Sequence, residues 1–297
     1  MSDGANGSKK VGVNRGQSDA VNRLPEVIET HIHLEKYTEA EARTMLAESR
    51  LGGVGAVVAV SMDLASCERT RQLALEQHGF VLPAYGWHPE QPLPVPGNLD
   101  ELIGWIRERH AAGESFAIGE VGLPYYTRTE HETAGEAFDE SGYSDILRRF
   151  TSLAAELDRP LILHAVYEDA SKAATLLREC GVRRAHFHWY KGDEETTRLL
   201  AESGYMISLT PDVLYEPDIQ ELAKHYPLEQ LMTETDGPWP FEGPFAGRAT
   251  HPLMIYESVR EIARLRDLPE SETAEALARN ARLFYGFTLE PADDFSA

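Results

Sequence analysis

His31 and His33 stand two residues apart at the end of an apolar run, in Glu29-Thr30-His31-Ile32-His33. Residues two apart on a strand point to the same side. Both imidazoles can therefore reach one divalent cation; the bland reading is a pair of hydrogen-bonded core histidines. Glu120, in Gly119-Glu120-Val121-Gly122, follows another apolar run. A carboxylate there is costly unless paired or coordinated. Its two oxygens could bridge two cations, while a salt bridge or a helix cap would explain it as well. His164 closes Pro160-Leu161-Ile162-Leu163, and His186 and His188 flank Phe187. The last two share a face, so spacing does not choose between them. Asp236, before Gly237-Pro238, could ligate a cation and accept a proton from attacking water, or simply make a turn. His88, in Gly86-Trp87-His88-Pro89, could orient a substrate oxygen or phosphate, or stabilise its loop.

What places these residues is an alternation of short β-branched runs with amphipathic stretches. Strands are predicted at Val27–His33, Ala56–Val60, Phe80–Tyr85, Phe116–Ile118, Pro160–His164, Ala185–His188, Tyr205–Ser208 and Leu231–Thr233. A helix is predicted from Thr38 to Arg50, with Thr38 and Glu41 forming a capping box. Another runs through Leu73 and Leu75, and two close the chain at Leu253–Leu265 and Glu272–Phe284. About eight strand-then-helix units argue for an α/β fold, a (β/α)8 TIM barrel; a doubly wound open sheet is the alternative. Nearly every chemistry-bearing residue falls at the carboxyl end of a strand. In a barrel those ends converge on one face. The acidic segment from Thr127 to Gly142 reads as a loop over that face.

The chain has 297 residues, enough for one large core, and its formal net charge is −21. Residues 1–23 read as a disordered polar arm and 24–297 as a single domain. Two cysteines distant in sequence, Cys67 and Cys180, exclude a disulfide framework. A reducing cytoplasm is the expected location. The apolar run Val54–Val60 is too short to cross a bilayer. A surface this acidic repels a long nucleic acid but does not bar one nucleotide end from a metal pocket. No dinucleotide fingerprint, Walker lysine motif or nucleophile elbow is present.

Taken together, the motifs resemble the TatD family of metal-dependent deoxyribonucleases, within the amidohydrolase superfamily. The resemblance runs in order through Thr30-His31-Ile32-His33-Leu34, Gly86-Trp87-His88-Pro89, Gly119-Glu120-Val121-Gly122-Leu123, His164, His188-Trp189-Tyr190-Lys191-Gly192, Glu234-Thr235-Asp236-Gly237-Pro238 and Asn280-Ala281-Arg282-Leu283-Phe284. It implies ligands at His31, His33, Glu120, His164, His188 and Asp236, choosing His188 over His186. It implies two divalent cations (Zn²⁺, Mn²⁺ or Mg²⁺) and hydrolysis of phosphodiesters, often from a DNA 3′ end. Glu29 and Pro124 stand where the family usually has Asp, and Trp189-Tyr190-Lys191 replaces smaller residues.

The expected mechanism gives one cation to His31, His33 and Asp236, and the other to His164 and His188. Glu120 bridges or supports both, and Asp236 takes the proton of the attacking water. Lys191 and Arg248 are placed as phosphate contacts by charge and position. The first function is a phosphodiesterase or 3′-5′ deoxyribonuclease acting on a nucleotide or DNA end. The second is a small-molecule amidohydrolase or lactonase, which a closed aromatic pocket around Trp87, Trp189 and Trp239 would favour. A non-catalytic metal-binding protein ranks third. No membrane or stable protein partner is expected.

Overall fold

Apolar runs separated by capped helices set the element order. The computed structural model describes residues 25–287; the expected arm at 1–23 lies outside them. The chain begins with β1 (Val27–Ile32), α1 (Glu39–Gly52), β2 (Val54–Ala59), α2 (Leu64–Glu76), β3 (Val81–Tyr85) and α3 (Asn98–Ala111). Next come β4 (Ala117–Gly122), α4 (Tyr125–Thr133), α5 (Ser141–Leu157), β5 (Leu161–His164) and α6 (Glu168–Cys180). It ends with β6 (Ala185–Phe187), α7 (Glu194–Glu202), β7 (Met206–Leu209), α8 (Pro217–His225), β8 (Leu231–Thr233), α9 (Ile255–Arg266) and α10 (Glu270–Tyr285). Thr38 caps α1 through the expected box with Glu41, and Asp63 and Asp193 cap α2 and α7.

The eight strands pair in parallel, in chain order from β1 to β8. No reversal of strand order occurs, which excludes the doubly wound sheet; the fold is a (β/α)8 TIM barrel. The seam between β8 and β1 is closed by individual bonds. The Thr30 hydroxyl donates to the Thr233 carbonyl at 3.0 Å. Asp236 N–H donates to His31 O, and His33 N–H to Gly237 O, each at 2.9 Å.

Two large apolar clusters make up most of the core, and a small third joins Phe241, Phe245 and Met254. The larger fills the space between strands and helices. The smaller lies along the barrel axis, combining Ile28, Val58, Leu82, Ala117, Ile162 and Met232 with Ala278, Ala281, Phe284 and Tyr285 of α10. Helix α10 thus plugs the end of the barrel where the strands begin. Asn280 fastens it there by donating to the carbonyls of Leu228 and Leu231.

Three sequence-based expectations change. The fourth strand runs on through Gly122, so Glu120 lies inside β4 rather than after it. Strict alternation fails in β1 and β4. Ile28 faces the axis, yet Ile32, four residues on, faces the helices; Ala117 and Val121 differ in the same way. Both strands carry a register shift between these residues, a bulge-like irregularity that re-aims the side chains beyond it. Finally, the segment after Leu123 is not all loop. Its first part is α4, which buries no residue completely and so shows no apolar stripe to read. No described helix is long and apolar enough to cross a membrane.

Candidate metal centre

The bulge-like shifts in β1 and β4 turn His31, His33 and Glu120 toward the axis near the strands' carboxyl ends. There they meet His164 from the last position of β5, His188 just after β6, and Asp236 just after β8. All six are buried. β4 and β5 approach so closely that a Cβ on Gly122 would overlap the His164 carbonyl.

Glu120 divides its two oxygens between two pairs of histidines. Oε2 lies 3.1 Å from His31 Nε2 and 3.2 Å from His33 Nε2. Oε1 lies 2.7 Å from His188 Nε2 and 3.0 Å from His164 Nδ1. Asp236 Oδ1 joins the first pair, 3.4 Å from His31 Nε2 and 3.6 Å from His33 Nε2. The donor atoms of His31, His33 and Asp236 form one group able to hold a cation, and those of Glu120, His164 and His188 another.

Whether these residues suit cations is tested by their unsatisfied atoms. His31 Nε2, Glu120 Oε2 and Asp236 Oδ1 are buried, within 3.4 Å of His31 Nε2, and without a hydrogen-bond partner. Each such atom costs about 1–3 kcal/mol when left bare. A cation between them would satisfy all three, and an imidazole–carboxylate donor set suits Zn²⁺ or Mn²⁺. The residues fit.

Charge accumulates here. Burial pushes the Glu120 carboxyl up, but the fields of His188, His88 and His31 outweigh it and hold the group well below the usual carboxylate range. Burial dominates at Asp236, raising it to about 7 against the pull of His188 and His33. Burial lowers His33, but Glu35 and Glu120 overcome this and bring it to about 9.

Carboxylates outside the cluster face three of the four histidines. Glu35 lies 2.7 Å from His33 Nδ1, Glu90 3.2 Å from His164 Nε2, and Glu234 3.5 Å from His188 Nδ1. The first two are hydrogen-bonded, as partners that orient metal-binding imidazoles are; Glu234 makes no hydrogen bond to His188 Nδ1. The sequence reading gave them no role. Glu35 and Glu90 each sit two residues beyond a candidate histidine, a usable signal; Glu234 was visible only as part of Glu-Thr-Asp.

His186 points to the axis but one layer deeper. Its Nδ1 lies 2.6 Å from the Tyr285 hydroxyl and its Nε2 2.6 Å from Ser208 Oγ. Ser208 in turn donates to Glu234. The structure therefore brings His188 into the cluster and leaves His186 in a buried structural chain.

His88 is also gathered in. Its Nδ1 accepts the Glu90 N–H at 3.1 Å, and its Nε2 lies 3.4 Å from Glu120 Oε1. Burial lowers it to about 4. A neutral ring whose Nδ1 accepts carries its proton on Nε2, so His88 offers a donor to the site. Lys191 sits at the rim, 5.3 Å above the Trp189 ring and 3.8 Å from Asp212. Arg248 is not brought to the cluster. It is exposed, lies over Phe245, and lines a separate hollow with Glu48, His251 and Glu257. Nor do the tryptophans form a closed wall. Trp87 packs on the main core, Trp189 on Phe241, and Trp239 is 52% exposed.

Residues 28–286 match the family model described as TatD related DNase. An uncharacterised metal-dependent hydrolase of Haemophilus influenzae is 35% identical, across 87% of this chain and 99% of that protein. The human deoxyribonuclease TATDN3 is 28% identical, across 86% and 93%. The solved TatD homologue YJJV of Escherichia coli shares the fold, with a TM-score of 0.73 at 23% identity over 88% of this chain and 98% of that one. A match over nearly the whole described barrel, joined to a 35% identical relative covered almost end to end, shows that this chain belongs to the TatD family.

Proposed function

We propose that this metal-dependent hydrolase cleaves phosphodiester bonds at a two-cation centre. The carrying observation is Glu120, whose oxygens face separate histidine pairs at 2.7–3.2 Å. His31, His33 and Asp236 would hold one cation and His164 and His188 the other, with Glu120 offering an oxygen to each. Divalent cations there supply Lewis acidity and water activation. Asp236 turns Oδ1 toward the histidines, leaving Oδ2 to accept the proton of attacking water. His88 donates from Nε2 to a phosphoryl oxygen, and Lys191 meets negative charge at the rim.

A phosphodiester substrate is supported by the family description and the name of the human relative. The acidic residues Glu130, Glu132, Glu136 and Asp139 in and after α4, with the net charge of −21, favour a short substrate or a strand end over long duplex.

Asp236→Asn tests this reading. The amide can still face a cation but cannot accept a proton near neutral pH. Hydrolysis of a single-stranded oligonucleotide 3′ end and of bis(p-nitrophenyl) phosphate should fall about 10²–10⁴-fold, with fold and much of the metal retained. Parent-like turnover in a folded, metal-loaded variant would remove Asp236 from the mechanism. A parent that hydrolyses lactones but neither phosphodiester would replace the substrate class.

A further inference from the structure

Helix α4 stands beside the mouth of the barrel with no fully buried residue, and its N-cap, Pro124, makes no side-chain cap. The cap comes from Glu90, on the loop after β3. Its Oε1 accepts the Tyr126 N–H and its Oε2 the Thr127 N–H, each at 2.8 Å; Oε2 also accepts the Thr127 hydroxyl at 2.6 Å. A carboxylate at a helix N-terminus is further favoured by the helix dipole. The same Oε1 lies 3.2 Å from His164 Nε2. The other nitrogen of that ring, Nδ1, faces Glu120 and His188 at 3.0 and 3.2 Å. Tyr126 completes the arrangement, its ring 5.9 Å from that of His164.

We infer that Glu90 is a positioning residue that couples the docking of α4 beside the barrel mouth to cation binding at His164. The inference rests on the reading of His164 as a ligand through Nδ1. A ring that ligates through Nδ1 carries its proton on Nε2, and Glu90 is the acceptor for it. That bond fixes the ring plane. It also holds Oε1 where the Tyr126 N–H needs it, so ring order and helix docking reinforce each other. Such coupling is reciprocal. Occupancy at His164 steadies α4, and loosening α4 weakens occupancy. The helix bearing Tyr126 thereby settles on a loaded centre in preference to an empty one. A helix cap with no link to the cluster would behave differently.

Two variants separate these cases. Glu90→Gln keeps the length but removes the charge and sets an amide NH2 against the Thr127 N–H in one orientation, or against the Tyr126 N–H and the His164 Nε2 proton in the other, so the full cap and the ring bond cannot coexist. Arg128→Ala loosens α4 elsewhere, since Arg128 bonds Glu168 and Asp169 at 2.9 Å and pairs with Glu140 at 3.1 Å. The measurements are Zn²⁺ affinity by chelator competition and hydrogen exchange of the α4 amides with and without Zn²⁺. Circular dichroism confirms that each variant is folded. In the parent, Zn²⁺ should slow α4 exchange. Glu90→Gln should lower Zn²⁺ affinity about 10–100-fold and abolish that slowing. Arg128→Ala should raise α4 exchange and lower Zn²⁺ affinity by a smaller factor. Parent-like affinity in Glu90→Gln, or a loosened α4 with unchanged affinity in Arg128→Ala, would overturn the coupling while leaving the metal centre in place. A parent that binds no Zn²⁺ would overturn the ligand reading itself, before any variant is made.

Discussion

Glu29 clasps Thr235 across the seam of the barrel. Its Oε1 accepts the Thr235 N–H at 3.0 Å and its Oε2 the Thr235 hydroxyl at 2.6 Å, while Oε1 also accepts the His31 N–H at 3.0 Å. One buried carboxyl therefore ties the residue before Asp236 to the backbone of His31. The two ends of the donor set are fixed to each other where the sheet has its weakest join.

Thr235→Val should expose that dependence. It removes a hydroxyl from a buried carboxyl and leaves Glu29 Oε2 without a partner, a cost of about 1–3 kcal/mol. The melting temperature should fall by several degrees, and metal affinity should fall with it, because the anchor common to His31 and Asp236 is reduced to the backbone bonds at Glu29 Oε1. Unchanged melting and unchanged affinity would show that the clasp is dispensable.

The two neighbouring histidines should separate by phenotype. His188→Ala removes a donor 2.7 Å from Glu120 Oε1 and should abolish metal uptake at that half of the centre. His186→Ala strips partners from Tyr285 and Ser208. Ser208 keeps its bond to Glu234, while the Tyr285 hydroxyl left bare costs about 1–3 kcal/mol, yet metal should be retained in the folded fraction. Metal analysis beside urea unfolding distinguishes them. Loss of metal only in His186→Ala would reverse the assignment.

Metal affinity should depend steeply on pH. With no cation bound, Asp236 sits at about 7, raised by burial, and His33 at about 9, where Glu35 and Glu120 overcome burial. A cation requires the ionised carboxylate and the neutral ring. Between pH 9 and 7, binding must expel at least the His33 proton; below 7 it must expel the Asp236 proton as well. Affinity should therefore drop at least about tenfold per unit on going from 9 to 7 and more steeply below. Calorimetry in buffers of different ionisation enthalpy counts the protons released. A flat affinity from pH 6 to 9 would contradict this.

Much of this was legible in the residues. Strand runs followed by capped helices made the barrel readable, and ligand-type residues at strand ends gave the face. What stayed hidden is long-range. Period-two alternation predicts that His31 and His33 share a side, but not that a register shift between Glu29 and Ile32 turns them inward. Spacing could not separate His186 from His188, because the difference is depth along the axis and a hydroxyl from Tyr285, 99 residues away. Helix α4 was read as loop because nothing in it is fully buried. Charge and position point to Arg248 as a phosphate contact, and its ring contact with Phe245 leaves no visible trace in sequence.

Everything proposed for this site depends on one carboxylate, Glu120, serving two cation sites. Metal-stripped full-length protein titrated with Zn²⁺ or Mn²⁺, with oligonucleotide 3′-end hydrolysis followed in the same samples, tests it most directly. Uptake should saturate at about two equivalents per chain, with activity rising as the second is taken up. Saturation at one equivalent, no uptake, or full activity in the stripped protein would contradict it.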